Sequence, residues 1–252
     1  MKRALGLYAA CVYAFLHVPL AVLAVFSFNS SRFTRWEGFS LNWYRAAAAN
    51  PQLAEAAWNS LVIGFVSTVI STSVGTLAAY GLWKRRSRFL AGSLYLTLLT
   101  PEIVTGVSLL VFFQWLFRVP GLQLGMHTVV AAHVTFSIAF VAVVVLARLR
   151  TLDATLEEAA MDLGAPPWQG FFRVTVPLIR PAIVAAALLA FTVSFDDYVI
   201  TSMVAGVDSE TLPMVIYAIA RRGANPELNA VSTIVVTALG ALVLLSERLR
   251  QA

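Results

Sequence analysis

Three carboxylates stand where a carboxylate is expensive. Glu102 lies near the middle of an apolar run, just after Pro101, and Asp196 and Asp197 lie about two thirds of the way along another. An Asp at the centre of a membrane helix costs about 2.5–3.5 kcal/mol on insertion scales, and such groups usually mark a pathway. No basic residue is expected inside a run at that depth to pair with them. The acids are therefore protonated, hydrated in a cavity, or waiting for a cation. The plainer reading is that one or more is held by hydroxyls on nearby turns, of which Thr100, Ser108, Thr192, Ser194, Tyr198 and Thr201 are close in sequence. Neighbours on a helix are about 100° apart. Asp196 and Asp197 thus cannot both face one point, and one is expected in a lumen with the other at a helix interface. His17, His127 and His133 show no ligand spacing on one face, and Cys11 is the single cysteine, so neither a metal cluster nor an intrachain disulfide is expected. The Gly-x-x-x-x-Gly-Lys-Ser/Thr loop is absent, so this chain is not expected to hydrolyse ATP by a P-loop mechanism.

The elements that carry these acids follow from composition. Of 252 residues, 59% are hydrophobic and 12% charged, against about 25% charged in an ordinary soluble domain. A soluble globule of this size cannot bury that much apolar surface. Six runs are long enough, at about 20 residues each, to cross a bilayer as helices: roughly 6–28, 59–82, 90–117, 126–147, 181–204 and 228–246. The expected fold is all-α, a single polytopic membrane domain over 1–252. Lys2 and Arg3 precede the first run, but it is too long for a signal-peptide core and reads as a retained helix. With the N-terminus inside, twelve of the eighteen Lys and Arg residues fall in inside segments, including Lys84, Arg85, Arg86 and Arg88. Both termini are then expected in the cytoplasm. The +5 charge sits at the ends of apolar runs, which argues against nucleic-acid binding.

Outside segments 29–58 and 205–227 are longer than turns. The first carries Trp36, Trp43, Tyr44 and Trp58, read as interfacial anchors, and a short surface helix along 42–49. The second has room for a short helix or a re-entrant dip. Small residues Gly64, Ser67, Ser71, Gly75 and Ala78 suit close packing of the second span, and Pro101 should bend or break the third. The inside loop 148–180 has Leu152, Leu156, Ala159, Ala160 and Leu163 at helical spacing. Thr155 and Glu158 could form a capping box. Gly164 should end that helix and Pro167 start the next. A helix this short needs a docking surface.

Within that loop, Glu158-Ala159-Ala160, three residues, Gly164, nine residues and Val174-Thr175-Val176-Pro177 resemble the Glu-Ala-Ala motif of permease subunits in binding-protein-dependent ABC importers. Val174 and Val176 replace Ile and Leu of the family pattern. Asn29-Ser30-Ser31-Arg32-Phe33, Pro101-Glu102-Ile103-Val104, Ser194-Phe195-Asp196-Asp197, Leu212-Pro213-Met214-Val215-Ile216-Tyr217 and Asn225-Pro226-Glu227-Leu228-Asn229-Ala230 are similar to the second permease subunit of spermidine/putrescine importers.

The resemblance implies a non-catalytic inner-membrane subunit. It would be assembled with a second permease chain, two ATPase subunits that hold ATP and Mg, and an external solute-binding protein. It implies that Glu158, Ala159, Ala160 and Gly164 form a coupling helix seated in the ATPase. It also implies a polyamine cargo, whose spaced ammonium groups suit Glu102, Asp196 and Asp197 together with aromatic faces such as Phe191, Phe195, Tyr198 and Trp115. The rival readings are an ion-coupled secondary transporter using the same acids, and an ABC permease for an amino acid, thiamine or iron chelate.

Overall fold

The computed structural model describes residues 2–32, 35–85, 87–118, 122–153, 155–223 and 226–251, the side chains of 2–4 and 242–251 excepted. Phe33, Arg86 and Asn225, named above, lie outside the described residues. Among the described residues the only strand-like feature is an isolated bridge between Asn29 and Phe39. The helices in order are α1 (Lys2–Phe26), α2 (Asn42–Ala49), α3 (Pro51–Lys84), α4 (Arg88–Leu99), α5 (Glu102–Leu116), α6 (Met126–Leu149), α7 (Thr155–Asp162), α8 (Pro167–Gly170), α9 (Val176–Asp196), α10 (Val199–Val204), α11 (Leu212–Arg221) and α12 (Pro226–Gln251). A π-helical turn, Phe171–Thr175, joins α8 to α9.

Among the described residues, four helices are long and apolar enough to cross a membrane, and α4 with α5 supply a fifth span if counted together. The sixth expected span falls on α12, whose side chains over 242–246 lie outside the described residues. Two expected spans are broken rather than continuous. α4 and α5 meet at 108°. Thr100 and Pro101 are both extended there, as proline dictates by clashing with the preceding residue and lacking an N–H. The 181–204 run, expected as one helix, stops at Asp196, goes extended at Asp197 and resumes as α10.

The chain divides into two compact units, Met1–Glu55 with Val215–Glu247, and Ala56–Met214 with Arg248–Ala252. In the first, α1 exposes Leu5, Tyr8, Tyr13 and Phe15, a surface that suits lipid and not water. Its connection to α2 is ordered by Asn29. The Asn29 amide donates to Arg35 O at 2.8 Å and its Oδ1 accepts from Glu37 N at 3.0 Å. Trp43 Nε1 donates to Asn29 O at 2.7 Å. Trp43 is thus tied into this turn, and α2 occupies the expected 42–49.

In the second unit α6 is the axis. Val129, Ala132, His133, Val141, Ala142, Val145 and Leu149 are all buried, and α6 packs on α9, α4 and α10. Small residues of α3 permit close approach. A Cβ added at Gly75 would sit 2.7 Å from Val141 Cβ and 3.0 Å from Ile138 O. Gly106 of α5 lies against Ile200 of α10, where a Cβ would be 3.4 Å from the Ile200 Cα.

Candidate functional site: an acid-lined cavity and a tethered loop helix

The two helix breaks face one another across a cavity of about 480 Å³. Glu102, the first residue of α5, lines it, as do Asp196, Asp197 and Tyr198 at the α9–α10 break. Hydroxyls of Thr97, Thr100, Thr105 and Thr192 add polar surface, Phe136 and Phe140 add aromatic faces, and among the described residues no Lys or Arg lines the wall. Glu102 and Asp196 are exposed. Glu102 sits in the first turn of α5. Asp196 sits at the negative end of α9, where carboxylate and terminal carbonyls together attract a cation.

Asp197 is different. Its side chain is 6% exposed. Oδ2 accepts from Thr201 N at 2.8 Å and from Thr201 Oγ1 at 2.7 Å, and Oδ1 faces Ile200 N at 3.4 Å. Asp197 therefore caps α10, satisfying N–H groups that would otherwise be orphaned at membrane depth. The expectation that no basic group could pair with these acids is corrected by a histidine. His133 of α6 places Nε2 3.4 Å from Asp197 Oδ2 and 2.9 Å from Thr201 Oγ1, with Nδ1 2.6 Å from Ser194 Oγ. Counting only Lys and Arg missed it. The available signal was a single His in a run otherwise free of ionisable groups after His127.

Two expected pathway residues do not line this cavity. Trp115 is thirteen residues beyond Glu102, roughly 20 Å along α5. It is exposed and has its ring 6.5 Å from that of Phe112. Phe195 turns away from Asp196 by one helical step and stacks on Phe191 at 5.8 Å.

The second feature is the α7 loop. Asp153 Oδ1 accepts from Thr155 N at 3.0 Å, so this aspartate, rather than a Thr155–Glu158 box, meets the first N–H of the helix. That bond, with the Thr155 side chain, lowers the Asp153 carboxyl below its usual range. Gly164 ends the helix with φ +85°, and Pro167 opens α8. The polarity of α7 is the reverse of an ordinary amphipathic helix. Its buried residue is Glu157, 4% exposed, whereas Leu156, Met161 and Leu163 face outward, Leu163 at 90% exposure. Glu158 and Ala159 are exposed, as is Gly164, and Ala160 is half-buried.

Glu157 binds Lys84 at the end of α3, accepts from Tyr80 Oη at 3.1 Å, and accepts the Thr175 hydroxyl of the π-helical turn. Burial pushes this carboxyl up. The hydrogen bonds from Lys84, Thr175 and Tyr80, with the lysine charge, outweigh it and leave the group below the usual glutamate range. Nothing in the spacing of 152–163 announced that the acid would be inside.

Residues 71–252 match the family described as the binding-protein-dependent transport system inner membrane component. The chain is 39% identical over 246 residues to the spermidine/putrescine transport system permease protein PotC of Escherichia coli, covering 96% of this chain and 92% of that one. It is 43% identical over 235 residues to the putrescine transport system permease protein PotI of Escherichia coli, covering 90% and 84%. Among solved structures, a bacterial ABC transporter involved in the import of the acidic polysaccharide alginate superposes with a TM-score of 0.74 at 17% identity, covering 99% of this chain and 96% of that one.

Proposed function

Since this chain belongs to the family of binding-protein-dependent transport system inner membrane components, we propose that it is a permease subunit that moves a polyamine into the cytoplasm by ATP-driven alternating access. The observation that carries the cargo class is the cavity between the two broken helices. Among the described residues, the charged side chains of its wall are all carboxylates, the remaining polar ones are hydroxyls, and aromatic faces lie beside both. Ammonium groups joined by short apolar chains match that lining through charge-assisted hydrogen bonds and cation–π contact. The relatives named for spermidine and putrescine support the same class. An ion-coupled secondary transporter, or a permease for an amino acid, thiamine or iron chelate, has less support from them.

In this reading α12 completes six spans, and both termini and the α7 loop face the cytoplasm. The subunit is not catalytic. Two ATPase partners bind ATP and Mg, a second permease chain closes the other side of the pathway, and an external binding protein delivers cargo. The α7 surface suits an ATPase partner: Glu158, Ala159 and Gly164 are open, and Leu156, Met161 and Leu163 offer apolar contact. Small alanines permit close approach, and the glycine permits the turn. Substrate should bind weakly at the cavity, because a tight site would impede release.

Uptake of radiolabelled putrescine and spermidine tests the cargo. Glu102→Gln and Asp196→Asn should each lower uptake while leaving assembly intact, and unchanged uptake in both would remove the cation route. Gly164→Asp should uncouple ATP hydrolysis from transport or release the ATPase. Normal coupling in that variant would remove the role assigned to α7.

A further inference from the structure

Donor and acceptor accounting fixes where the protons lie around His133. A hydroxyl has one proton to give. Thr201 Oγ1 gives its proton to Asp197 Oδ2 at 2.7 Å, since an ionised carboxylate only accepts. Oδ2 also receives the Thr201 N–H at 2.8 Å, which suits an accepting oxygen and not a protonated one. The 2.9 Å contact between Thr201 Oγ1 and His133 Nε2 therefore needs a hydrogen on Nε2.

The other side gives the same answer. Ser67 Oγ lies 2.6 Å from Ile63 O, a carbonyl that can only accept, so the Ser67 proton is committed there. Its 2.9 Å contact with Ser194 Oγ must then use the Ser194 proton. Ser194 has nothing left to give His133 Nδ1 at 2.6 Å, so Nδ1 carries a hydrogen as well. A ring with hydrogens on both nitrogens is an imidazolium.

We propose that His133 is a positioning residue in the doubly protonated form. It makes a buried ion pair with Asp197 that joins α6 to the α9–α10 break and leaves Glu102 and Asp196 as the carboxylates that meet the cargo. His133 is fully buried and its ring lies 5.3 Å from that of Phe136. Both ring nitrogens meet protein hydroxyls, and the Asp197 carboxylate at 3.4 Å offsets the ring's charge, so the pair presents little net charge to a cationic cargo. Asp197 spends its acceptors on α10 and on this pair, whereas Asp196, one residue earlier, remains exposed. The division of labour between the acids deepens the transport reading and rests on it. The protonation of His133 does not.

Two kinds of measurement separate these. A full-length chain carrying His17→Gln and His127→Gln keeps His133 as its one histidine. Its ¹⁵N ring spectrum should show two protonated nitrogens, and one bare nitrogen overturns the proposal. For the pair, His133→Gln and Asp197→Asn should each lower the unfolding midpoint of the purified chain in detergent. The double variant should recover most of the loss, because two neutral amides can replace two charges. In putrescine uptake, Asp197→Asn should reduce the maximal rate with KM within about twofold, whereas Asp196→Asn should raise KM about tenfold, as loss of one charge-assisted bond does. A Asp197→Asn variant with KM raised as much as in Asp196→Asn, or a double variant no better than the singles, overturns it. If the wild-type chain carried no polyamine, the transport reading would fall while the spectrum and the midpoints still decided the ion pair.

Discussion

Lys84 Nζ meets Glu157 Oε2 at 2.5 Å, joining the last residue of α3 to the one buried side chain described on α7. Tyr80 donates to the same carboxylate oxygen as Lys84, and Thr175 donates to the other. A helix of eight residues has little stability of its own. The position of α7 is therefore set by this cluster more than by its apolar residues, several of which face outward. The cluster joins α7 to the end of α3 through a charged pair and to the π-helical turn ahead of α9 through Thr175.

Glu157→Gln keeps the shape and removes the charge. Lys84 is 36% exposed, so the loss should lie between that of a surface pair and a buried one, about 1–3 kcal/mol. The pH dependence has a defined sign. The folded carboxyl is lowered from 4.5, so its stabilisation is fully present above that value and is lost as pH falls below it through the folded value. Limited proteolysis across 150–170 should accelerate on acidification below about pH 4.5 in the wild-type chain. In Glu157→Gln it should be fast already at neutral pH and lose the contribution of this group to the acid dependence.

Gly75 of α3 lies close against Val141 of α6, where an added Cβ would sit 2.7 Å from the Val141 Cβ. Gly75→Ala should cost about 1–3 kcal/mol by overpacking, read as a lower unfolding midpoint in detergent. Val141→Ala should restore part of that loss in the double variant, giving a favourable coupling between the two positions. Additive losses would mean that the helices separate instead of sharing the clash.

Most of the architecture is written in composition and length, because a bilayer demands uninterrupted apolar runs and satisfied backbone groups. Pro101 announced its own break. Asp196-Asp197 announced another, but the signal was read as two acids within one helix when Asp197 is also a preferred helix cap ahead of Val199-Ile200-Thr201. Glu157 and Glu158 are adjacent and chemically identical, and only the positions of Lys84, Tyr80 and Thr175, which are distant in sequence, decide which one turns inward. His133 met Asp197 across 64 residues for the same reason.

Gly164 adopts φ +85° with no atom within 4 Å of an added Cβ. The cost of substitution is therefore backbone strain alone, about 1 kcal/mol for alanine. Asn, which tolerates this conformation, should retain more putrescine-stimulated ATP hydrolysis than Ala, and Val should retain least. An order set by side-chain volume at equal backbone tolerance, with Asn worse than Ala, would place the partner surface rather than the turn in control of this position.

The bend at Pro101 has two independent supports, and they predict different variants to be damaging. Proline removes the N–H that would bond to Thr97 O and forces Thr100 extended. Separately, Leu94 buries α4 in the core that includes Ala142 and Leu146 of α6, while Gly106 seats α5 on Ile200 and Met203 of α10. Each half is anchored by its own packing, so releasing the local constraint should not straighten the pair. Pro101→Ala should keep the greater part of putrescine uptake. Gly106→Val adds branches where a Cβ alone is already 3.4 Å from the Ile200 Cα. It should lift α5 from α10, move Glu102 with it and reduce uptake by about tenfold or more, equivalent to at least the 1–3 kcal/mol of an overpacked contact. If Pro101→Ala is instead the more damaging of the two, the break is held by the proline and not by the packing of its halves.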